Sequence, residues 1–310
     1  MSDDDRVMVF APAPMLTVTI EQPADHLEIH VHPGGQGVWQ ARMVICLGVP
    51  VVLCVTLGGE LGEVLEPLIR AEGVDLRAVR RDSTSGGYVH DRRDGSREEI
   101  ADVPGQPLSR HELDEVYDLA LAEGLRSPVS VLSGPSDPSI VPPDIYRRLA
   151  ADLGTNGSRV VADLSGDYLA AVLAGRPAFV KVSHEELLDD GRAETDSEEA
   201  LLDALIKLCA DGAGSALVSR ANQPALALLD GTAYRVQLPK LETADPRGAG
   251  DSMTAGVAAV LARGGDLATA VRTGAAAGAL NVTRHGLGTG RADAIHSLVD
   301  RVWLEPLERS

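Results

Sequence analysis

Positive charge and aromatic side chains are both scarce in this chain. It carries 28 Lys and Arg against 46 Asp and Glu, a formal net charge of −18 at pH 7, and aromatic residues make up 3% of it. Nucleic acids and anionic membranes are bound by basic patches, and single-stranded nucleic acids also need aromatic stacking platforms. We therefore expect neither a nucleic-acid nor a membrane partner, although a local basic pocket can still bind a small anion.

Cysteines and long hydrophobic runs are scarce as well. Cys46, Cys54 and Cys209 show no metal-ligand spacing, and their odd number predicts reduced thiols in a cytoplasmic protein. The acidic N-terminus lacks the basic segment and apolar core of a signal peptide. The most apolar stretch, residues 43–57, is interrupted by a glycine and a proline, so it is too short to span a bilayer.

Hydrophobic residues make up 44% of the 310 residues, which is enough for the core of one α/β domain spanning residues 1–310. Apolar strand patterns alternate with helix patterns, which predicts a mostly parallel sheet covered by helices on both faces. Between residues 76 and 102, short alternating segments joined by charged turns predict exposed hairpin strands instead. The predicted strands are 7–10, 49–56, 129–133, 159–164, 178–182 and 215–219, and the predicted helices are 34–46, 61–72, 111–122, 144–153, 168–173 and 197–210.

Residues 245–256, Asp-Pro-Arg-Gly-Ala-Gly-Asp-Ser-Met-Thr-Ala-Gly, form the most informative segment. Gly248, Ala249 and Gly250 are small enough for their N–H groups to close on a ligand, and the apolar run after them predicts a helix. A helix N-terminus suits phosphate because of its free N–H groups and positive dipole end. A carboxylate beside it, Asp251, makes sense if it takes a proton from a hydroxyl that attacks a phosphoryl group.

A plain loop in which Asp251 caps the helix is the alternative interpretation of these residues. The whole segment, however, resembles the signature of the PfkB or ribokinase-like carbohydrate kinases, in particular the branch of 1-phosphofructokinase and tagatose-6-phosphate kinase. The resemblance implies a ribokinase-like three-layer α/β fold, with a mostly parallel sheet, helices on both faces and a small, reduced β lid at 17–33 and 83–103. It further implies Asp251 as catalytic base, residues 248–250 as the anion hole, ATP and Mg²⁺ as cofactors, a small-molecule hydroxyl acceptor, and a homodimer formed through the lid.

On the phosphate-donor side, residues 177–187 resemble the family segment Lys-Pro-Asn-x-x-Glu-Leu. The resemblance implies that Lys181 lies near the nucleotide phosphates and that Glu186 binds Mg²⁺ through water. Ser183 stands in place of the family asparagine. The same residues also fit a strand end followed by a capped helix with an exposed glutamate.

Two further nucleotide contacts are implied by the resemblance. Ser219 matches a family Ser or Thr, but the two loop glycines that follow it in the family are replaced here by Ala221 and Pro224. Gly278 belongs to a helix of small residues that lies beside the adenine in the family. Such small residues serve helix packing equally well.

On the acceptor side, residues 34–42, Gly-Gly-Gln-Gly-Val-Trp-Gln-Ala-Arg, resemble the family segment Gly-Gly-Lys-Gly-Ile-Asn-Val-Ala-Arg. Trp39 replaces an asparagine that binds sugar hydroxyls, Thr17 stands at the position of a sugar-binding aspartate, and Ser85 at that of a phosphate-binding arginine. An indole cannot replace a bidentate amide, and losing Arg removes a charge-assisted contact. The implied substrate contacts are Thr17, Gly34, Gly35, Gly37, Trp39 and Ser85.

Two functional hypotheses follow. The first is an ATP-dependent kinase that phosphorylates a hydroxyl of a sugar, sugar phosphate or sugar-like molecule. Its altered acceptor pocket would take a less polar acceptor, or one with a flat ring that stacks on Trp39. The alternative role of Trp39 is packing in the core. The second is a non-catalytic relative that binds a nucleotide or sugar as a regulator. A Rossmann oxidoreductase is disfavoured because no Gly-x-Gly-x-x-Gly follows the first strand.

Overall fold

The computed structural model describes residues 5–24, 26–238, 247–283, 288 and 290–307. The strands are β1 (Val7–Phe10), β2 (Met15–Glu21), β3 (Glu28–Gly34), β4 (Val51–Gly58), β5 (Asp75–Arg81), β6 (Gly86–Asp91), β7 (Glu98–Val103), β8 (Val129–Ser133), β9 (Arg159–Asp163), β10 (Phe179–Ser183), β11 (Ser215–Arg220), β12 (Gln223–Leu229), β13 (Thr232–Gln237) and β14 (Trp303–Pro306). The helices are α1 (Gln36–Cys46), α2 (Gly59–Ala71), α3 (Arg110–Gly124), α4 (Pro143–Thr155), α5 (Gly166–Ala174), α6 (His184–Asp189), α7 (Glu198–Ala210), α8 (Ala249–Ala262), α9 (Leu267–Asn281) and α10 (Ala292–Val299).

Ten strands form one large sheet in the order β14-β13-β12-β11-β10-β9-β8-β1-β4-β5. The seven strands from β11 to β5 pair in parallel, and β12, β13 and β14 extend the sheet in antiparallel fashion. All eight residues of β4 are buried, as expected for a strand rich in β-branched residues with helices on both faces. The predicted α/β class and mostly parallel sheet are confirmed.

Two hydrophobic clusters lie on opposite faces of this sheet and give the fold its three layers. One cluster holds the apolar sides of α1, α2, α8, α9 and α10, and the other those of α3, α4, α5 and α7. In the described part of the chain, no helix is both long and apolar enough to cross a membrane.

The strand order reverses between β1 and β8. β1 pairs in parallel with β4 on one side and with β8 on the other, and the chain completes the β4–β5 side before it returns to β8. Open α/β sheets bind ligands in the crevice outside the carboxyl ends of the strands at such a point. The site is therefore expected close to Ala11 and Ser133, where these two strands end.

A second sheet has four strands in the order β3-β2-β6-β7, and we call this sheet the lid. Its strands have six or seven residues each and lie within or beside the segments 17–33 and 83–103 that the sequence assigns to a small, reduced lid. Strand alternation gives it two faces. Across its width, one face carries His32, Thr17, Tyr88 and Asp102 in register, and the other carries Val31, Val18, Val89 and Ala101.

Candidate active site

The N-terminus of α8 has a geometry that is typical of anion-binding sites. Gly248 precedes the helix in a left-handed conformation, φ 71°, which glycine adopts without a Cβ clash. The first intrahelical hydrogen bond runs from the Ser252 N–H to the Gly248 carbonyl at 2.9 Å. The N–H groups of Ala249, Gly250 and Asp251 precede that bond and have no partner within the helix, so they and the positive dipole end suit a phosphate oxygen.

Lys181, near the end of β10, reaches this helix N-terminus. A Cβ placed on Gly250 would lie 2.3 Å from the Lys181 Nζ, so the glycine makes room for the ammonium group. The Nζ lies 3.2 Å from Asp163 Oδ1, and both side chains are buried. Burial opposes the charged form of Lys181, but the nearby carboxylates of Asp163, Glu186 and Asp251 outweigh burial and raise its pKa.

Asp163, the last residue of β9, is 1% exposed and accepts three hydrogen bonds. Its donors are Lys181 Nζ at 3.2 Å, Gln40 Nε2 at 3.1 Å and Thr254 Oγ1 at 2.7 Å. Burial raises the pKa of this carboxyl, and the charge of Lys181 together with the hydrogen bonds opposes that rise. Asp163 thus joins α1, β10 and α8 at one point.

Asp251, in the first turn of α8, is 9% exposed. Its Oδ1 accepts a hydrogen bond from Gln40 Nε2 at 3.3 Å. Burial first, and then the Asp163 charge, raise the pKa of Asp251 to about 7, against the opposing effects of Lys181 and Gln40. A carboxyl with this pKa can accept a proton near neutral pH, which is what general-base catalysis needs.

A cavity of about 810 Å³ lies under the polar face of the lid, and its volume suits a small-molecule ligand. A smaller cavity of about 150 Å³ adjoins it at the switch point, and Met15, Trp39 and Ser136 line both. The large cavity is lined by Met15, Thr17, Thr19, Glu21, His30, His32, Trp39, Tyr88, His90, Arg92, Arg97, Asp102, Ser136 and Arg247. We call these residues the lid cleft.

The lid cleft is basic in an otherwise acidic chain. Three arginines and three histidines line it, against two carboxylates. The Arg97 guanidinium lies 4.6 Å from the Tyr88 ring centroid, and its Nε donates to the Tyr88 hydroxyl at 3.2 Å. The pKa of His32 is lowered, first by burial and then by Arg42 and His30, so the neutral form of this imidazole is favoured.

Comparison with known proteins fits this geometry. Residues 18–294 match the model of the pfkB family carbohydrate kinases, and the chain is 30% identical over 263 residues to 1-phosphofructokinase of Bacillus subtilis (strain 168), covering 83% of this chain and 84% of that protein. The chain belongs to the pfkB family of carbohydrate kinases. It is therefore an ATP-dependent carbohydrate kinase.

Solved structures agree with this family fold. Phosphofructokinase-2 from Escherichia coli, in complex with potassium, is 25% identical with a TM-score of 0.84, and the match covers 96% of this chain and 98% of that one. A possible 1-phosphofructokinase from Thermotoga maritima has a TM-score of 0.84 at 18% identity, over 98% of this chain and all of that one. At that identity, the second likeness shows the fold alone. The predicted ribokinase-like fold is confirmed.

Of the residues predicted to bind the nucleotide, Ser183 and Glu186 form a capping box at the start of α6. Each side chain accepts a hydrogen bond from the other residue's N–H, at 3.2 Å and 2.7 Å. Ser219 is the register partner of Ser183 on the neighbouring strand β11, so the structure brings Ser183 and Ser219 together. A Cβ on Gly278 would lie 2.7 Å from Met253 Cγ, so close packing of α9 on α8 explains this glycine, and its adenine contact stays a prediction.

On the acceptor side, the structure brings together four of the six predicted residues. Thr17 and Trp39 line the lid cleft, and Gly35 and Gly37 line the smaller cavity with Trp39. Among the described residues, the buried indole Nε1 of Trp39 has no hydrogen-bond partner, and its contact with an acceptor stays a prediction.

Gly34 and Ser85 have structural partners instead. A Cβ on Gly34 would lie 2.3 Å from Thr17 Oγ1. The Ser85 side chain is 1% exposed, and its Oγ accepts a hydrogen bond from the Gly58 N–H at 3.1 Å. Neither Gly34 nor Ser85 is among the described residues that line the two cavities, so their contact with an acceptor stays a prediction.

Sequence reasoning missed Asp163, Gln40 and the arginines of the lid cleft. A signal for Asp163 was present, because it is the second-last residue of the predicted strand 159–164 and ligands bind at the carboxyl ends of such strands. Residues 245 and 246, which begin the predicted signature, lie outside the described residues.

Magnesium was predicted at Glu186 through water. Among the described residues, no group of three or more His, Cys, Asp or Glu side chains is placed to hold a metal ion. One oxygen of Glu186 accepts the Ser183 N–H. Mg²⁺ usually takes most of its ligands from nucleotide phosphates and water, so the predicted water-mediated contact of Glu186 does not require a cage of protein ligands.

Proposed function

We propose that this carbohydrate kinase transfers the γ-phosphoryl group of ATP to a hydroxyl of a phosphorylated sugar bound in the lid cleft, with Asp251 as the general base. The observation that carries the proposal is the position of Asp251. It lies in the first turn of α8, beside the Lys181 ammonium group, with its pKa raised to about 7.

The proposed reaction moves one proton and one phosphoryl group. Asp251 takes the proton of the acceptor hydroxyl while the hydroxyl oxygen bonds to the γ-phosphorus, and the bond from that phosphorus to the bridging oxygen breaks to release ADP. The N–H groups of residues 249–251 stabilise the charge on the transferred group, and Lys181 adds a fixed positive charge beside them. Mg²⁺ bound with the nucleotide would neutralise phosphate charge, with Glu186 contacting its water ligands.

The lid cleft supports an anionic acceptor. Its lining carries three arginines against two carboxylates, in a chain whose net charge is −18. Glu21 lies 3.8 Å from Arg92, so one of those carboxylates already has a cationic neighbour. The relative from Bacillus subtilis is named as a kinase of a phosphorylated sugar. We therefore propose a sugar phosphate in place of the less polar acceptor that the sequence suggests.

We also propose a homodimer formed through the apolar face of the lid. Ile29 and Val31 of β3 are 64% and 44% exposed on that face, and Ile20, Val18 and Val89 lie beside them in the sheet. Exposed apolar surface of this kind is typical of protein–protein contacts. A tetrameric inhibited form has been described for phosphofructokinase-2 of Escherichia coli, a structural relative.

The function is tested by ADP release with a panel of sugars and sugar phosphates, using the wild type and Asp251→Asn. We expect turnover with at least one sugar phosphate, and a loss of about 10²–10⁴-fold in kcat for the variant, because a general base contributes that much. ATP binding without turnover over the whole panel would instead support the non-catalytic hypothesis. Full activity of Asp251→Asn would exclude Asp251 as the base.

The anionic acceptor is tested by Arg97→Ala, with Arg93→Ala as the matched control. Arg93 belongs to the same hairpin, pairs with Asp91 and does not line the lid cleft. A lost charge-assisted contact is worth about 1.5–3 kcal/mol, so KM for the sugar phosphate should rise about 10- to 100-fold in Arg97→Ala, with little change for the control. Equal effects of both variants, or of Arg97→Ala on neutral and phosphorylated acceptors, would count against the proposal.

A further inference from the structure

Gln40 lies on the buried side of α1 and is 0% exposed. The family segment that residues 34–42 resemble has a valine at this position, so a primary amide stands here in place of an apolar side chain. A buried amide costs free energy unless its polar atoms are hydrogen-bonded, so Gln40 requires hydrogen-bond partners inside the protein.

Both ends of this amide are used. The Nε2 donates to Asp163 Oδ2 at 3.1 Å and to Asp251 Oδ1 at 3.3 Å, while the Oε1 accepts from the Ser133 hydroxyl at 2.5 Å. The Tyr146 hydroxyl in turn donates to the Ser133 carbonyl at 2.9 Å. The orientation of the amide is fixed by chemistry, because a flipped amide would turn its oxygen toward two carboxylates.

The two carboxylates depend on Gln40 to different degrees. Asp163 also accepts hydrogen bonds from Lys181 and Thr254, which hold it without the amide. For Asp251, Gln40 is the side-chain hydrogen-bond donor in the described part of the chain. Removing the amide therefore leaves Asp163 anchored and Asp251 without its donor.

We propose that Gln40 is a positioning residue for Asp251, holding one carboxylate oxygen so that the other is presented to the acceptor hydroxyl. This inference rests on the proposed role of Asp251 as base. A displacement of about 1 Å of a reacting group can lower the rate by up to 10²-fold, so the loss of one hydrogen bond that positions Asp251 should lower kcat measurably.

The ionisation of Asp251 supports the same assignment. The groups that act on it come from four elements: Asp163 of β9 and Glu186 of α6 raise its pKa, while Lys181 of β10 and Gln40 of α1 lower it. A donated hydrogen bond stabilises the carboxylate over the neutral acid. Loss of the Gln40 amide should therefore raise the pKa of Asp251 further and leave less active base at pH 7.

The experiment compares Gln40→Met, which keeps the side-chain length, with Gln40→Val, the residue of the family segment. Both lose the donor but differ in volume. For both, the acid limb of the pH profile of kcat/KM should move upward by about one to two pH units, the worth of one hydrogen bond to a carboxylate. At pH 7, kcat should fall about 10- to 100-fold. A packing role predicts lower thermal stability with an unchanged acid limb, and that result in both variants would overturn the inference.

Ser133→Ala provides a second measurement on a near-isosteric variant. It removes the hydroxyl that holds the Gln40 carbonyl, so the acid limb should move in the same direction by a smaller amount, and an unmoved limb would also count against the inference. The double variant Asp251→Asn/Gln40→Met should be no slower than Asp251→Asn. If Asp251→Asn is inactive while both Gln40 variants keep the wild-type profile, only the role of Gln40 fails; if Asp251→Asn is active, the proposed base fails.

Discussion

At the scale of single residues, the site depends on glycines, because the absence of a Cβ leaves room for other groups or allows a left-handed backbone. Gly250 has no Cβ where the Lys181 ammonium group lies, and Gly248 has none where α8 begins in a left-handed conformation. An alanine at residue 250 would push Lys181 away from the helix N-terminus. The small residues of the signature are therefore required by the geometry around Asp251 itself.

Ala221 is the opposite case, because it carries a Cβ in a left-handed conformation that favours glycine. It has φ +41° in the turn between β11 and β12, at a position where the resembling family loop has glycine. A left-handed conformation costs a residue with a Cβ about 1–2 kcal/mol, partly offset by the greater entropy that glycine loses on folding. We predict that Ala221→Gly raises the free energy of unfolding by about 0.5–1 kcal/mol, measured by urea denaturation.

Ala151→Gly is the matched control for that prediction. Ala151 is a half-buried residue in the interior of α4, where glycine should lower the free energy of unfolding by about 0.5–1 kcal/mol. Opposite signs for the two alanine-to-glycine changes support the strain at Ala221. A loss of stability in both would show that its turn tolerates the Cβ.

At the scale of helices and strands, burial decides what the sequence could predict. The parallel strands β1, β8, β9 and β10 were predicted to within about one residue because continuous apolar runs and flanking turn residues mark them. β12, β13 and β14 were not predicted. The buried part of β12, residues 225–229, consists of Ala and Leu and lacks β-branched residues, and β14 is mostly exposed. Pairing with a neighbouring strand therefore explains these strands better than their own sequence pattern does.

The candidate site likewise has a part that the sequence could predict and a part that it could not. Residues 248–251 form one local segment, so their role could be proposed from the sequence. Gln40 and Asp251 are 211 positions apart, and their contact exists only because α1 and α8 pack side by side on one face of the sheet. The basic lid cleft likewise arises from all four strands of the lid and one of its turns, together with Trp39, Ser136 and Arg247 from outside it. Such constellations follow from the topology, which a local pattern does not contain.

At the scale of the whole molecule, net charge and exposed apolar surface have opposite effects on self-association. A net charge of −18 makes two copies repel, with a range of about 8 Å at physiological ionic strength. The lid nevertheless exposes an apolar sheet face, on which Ile29 is 64% exposed. Any association through this face must be driven by apolar burial, and salt should strengthen it by screening the repulsion.

We therefore predict a lid-mediated dimer that tightens as NaCl is raised from 0.05 to about 0.5 M, and that Ile29→Glu abolishes it, because a buried unpaired carboxylate costs several kcal/mol. Trp303→Glu adds the same charge at an equally exposed apolar residue on β14, the far edge of the large sheet, and should leave the dimer intact. Sedimentation equilibrium at both salt concentrations measures the dissociation constants. A dimer weakened by salt would point to ion pairs in place of apolar contact, and a monomeric wild type at tens of micromolar would rule out the lid interface.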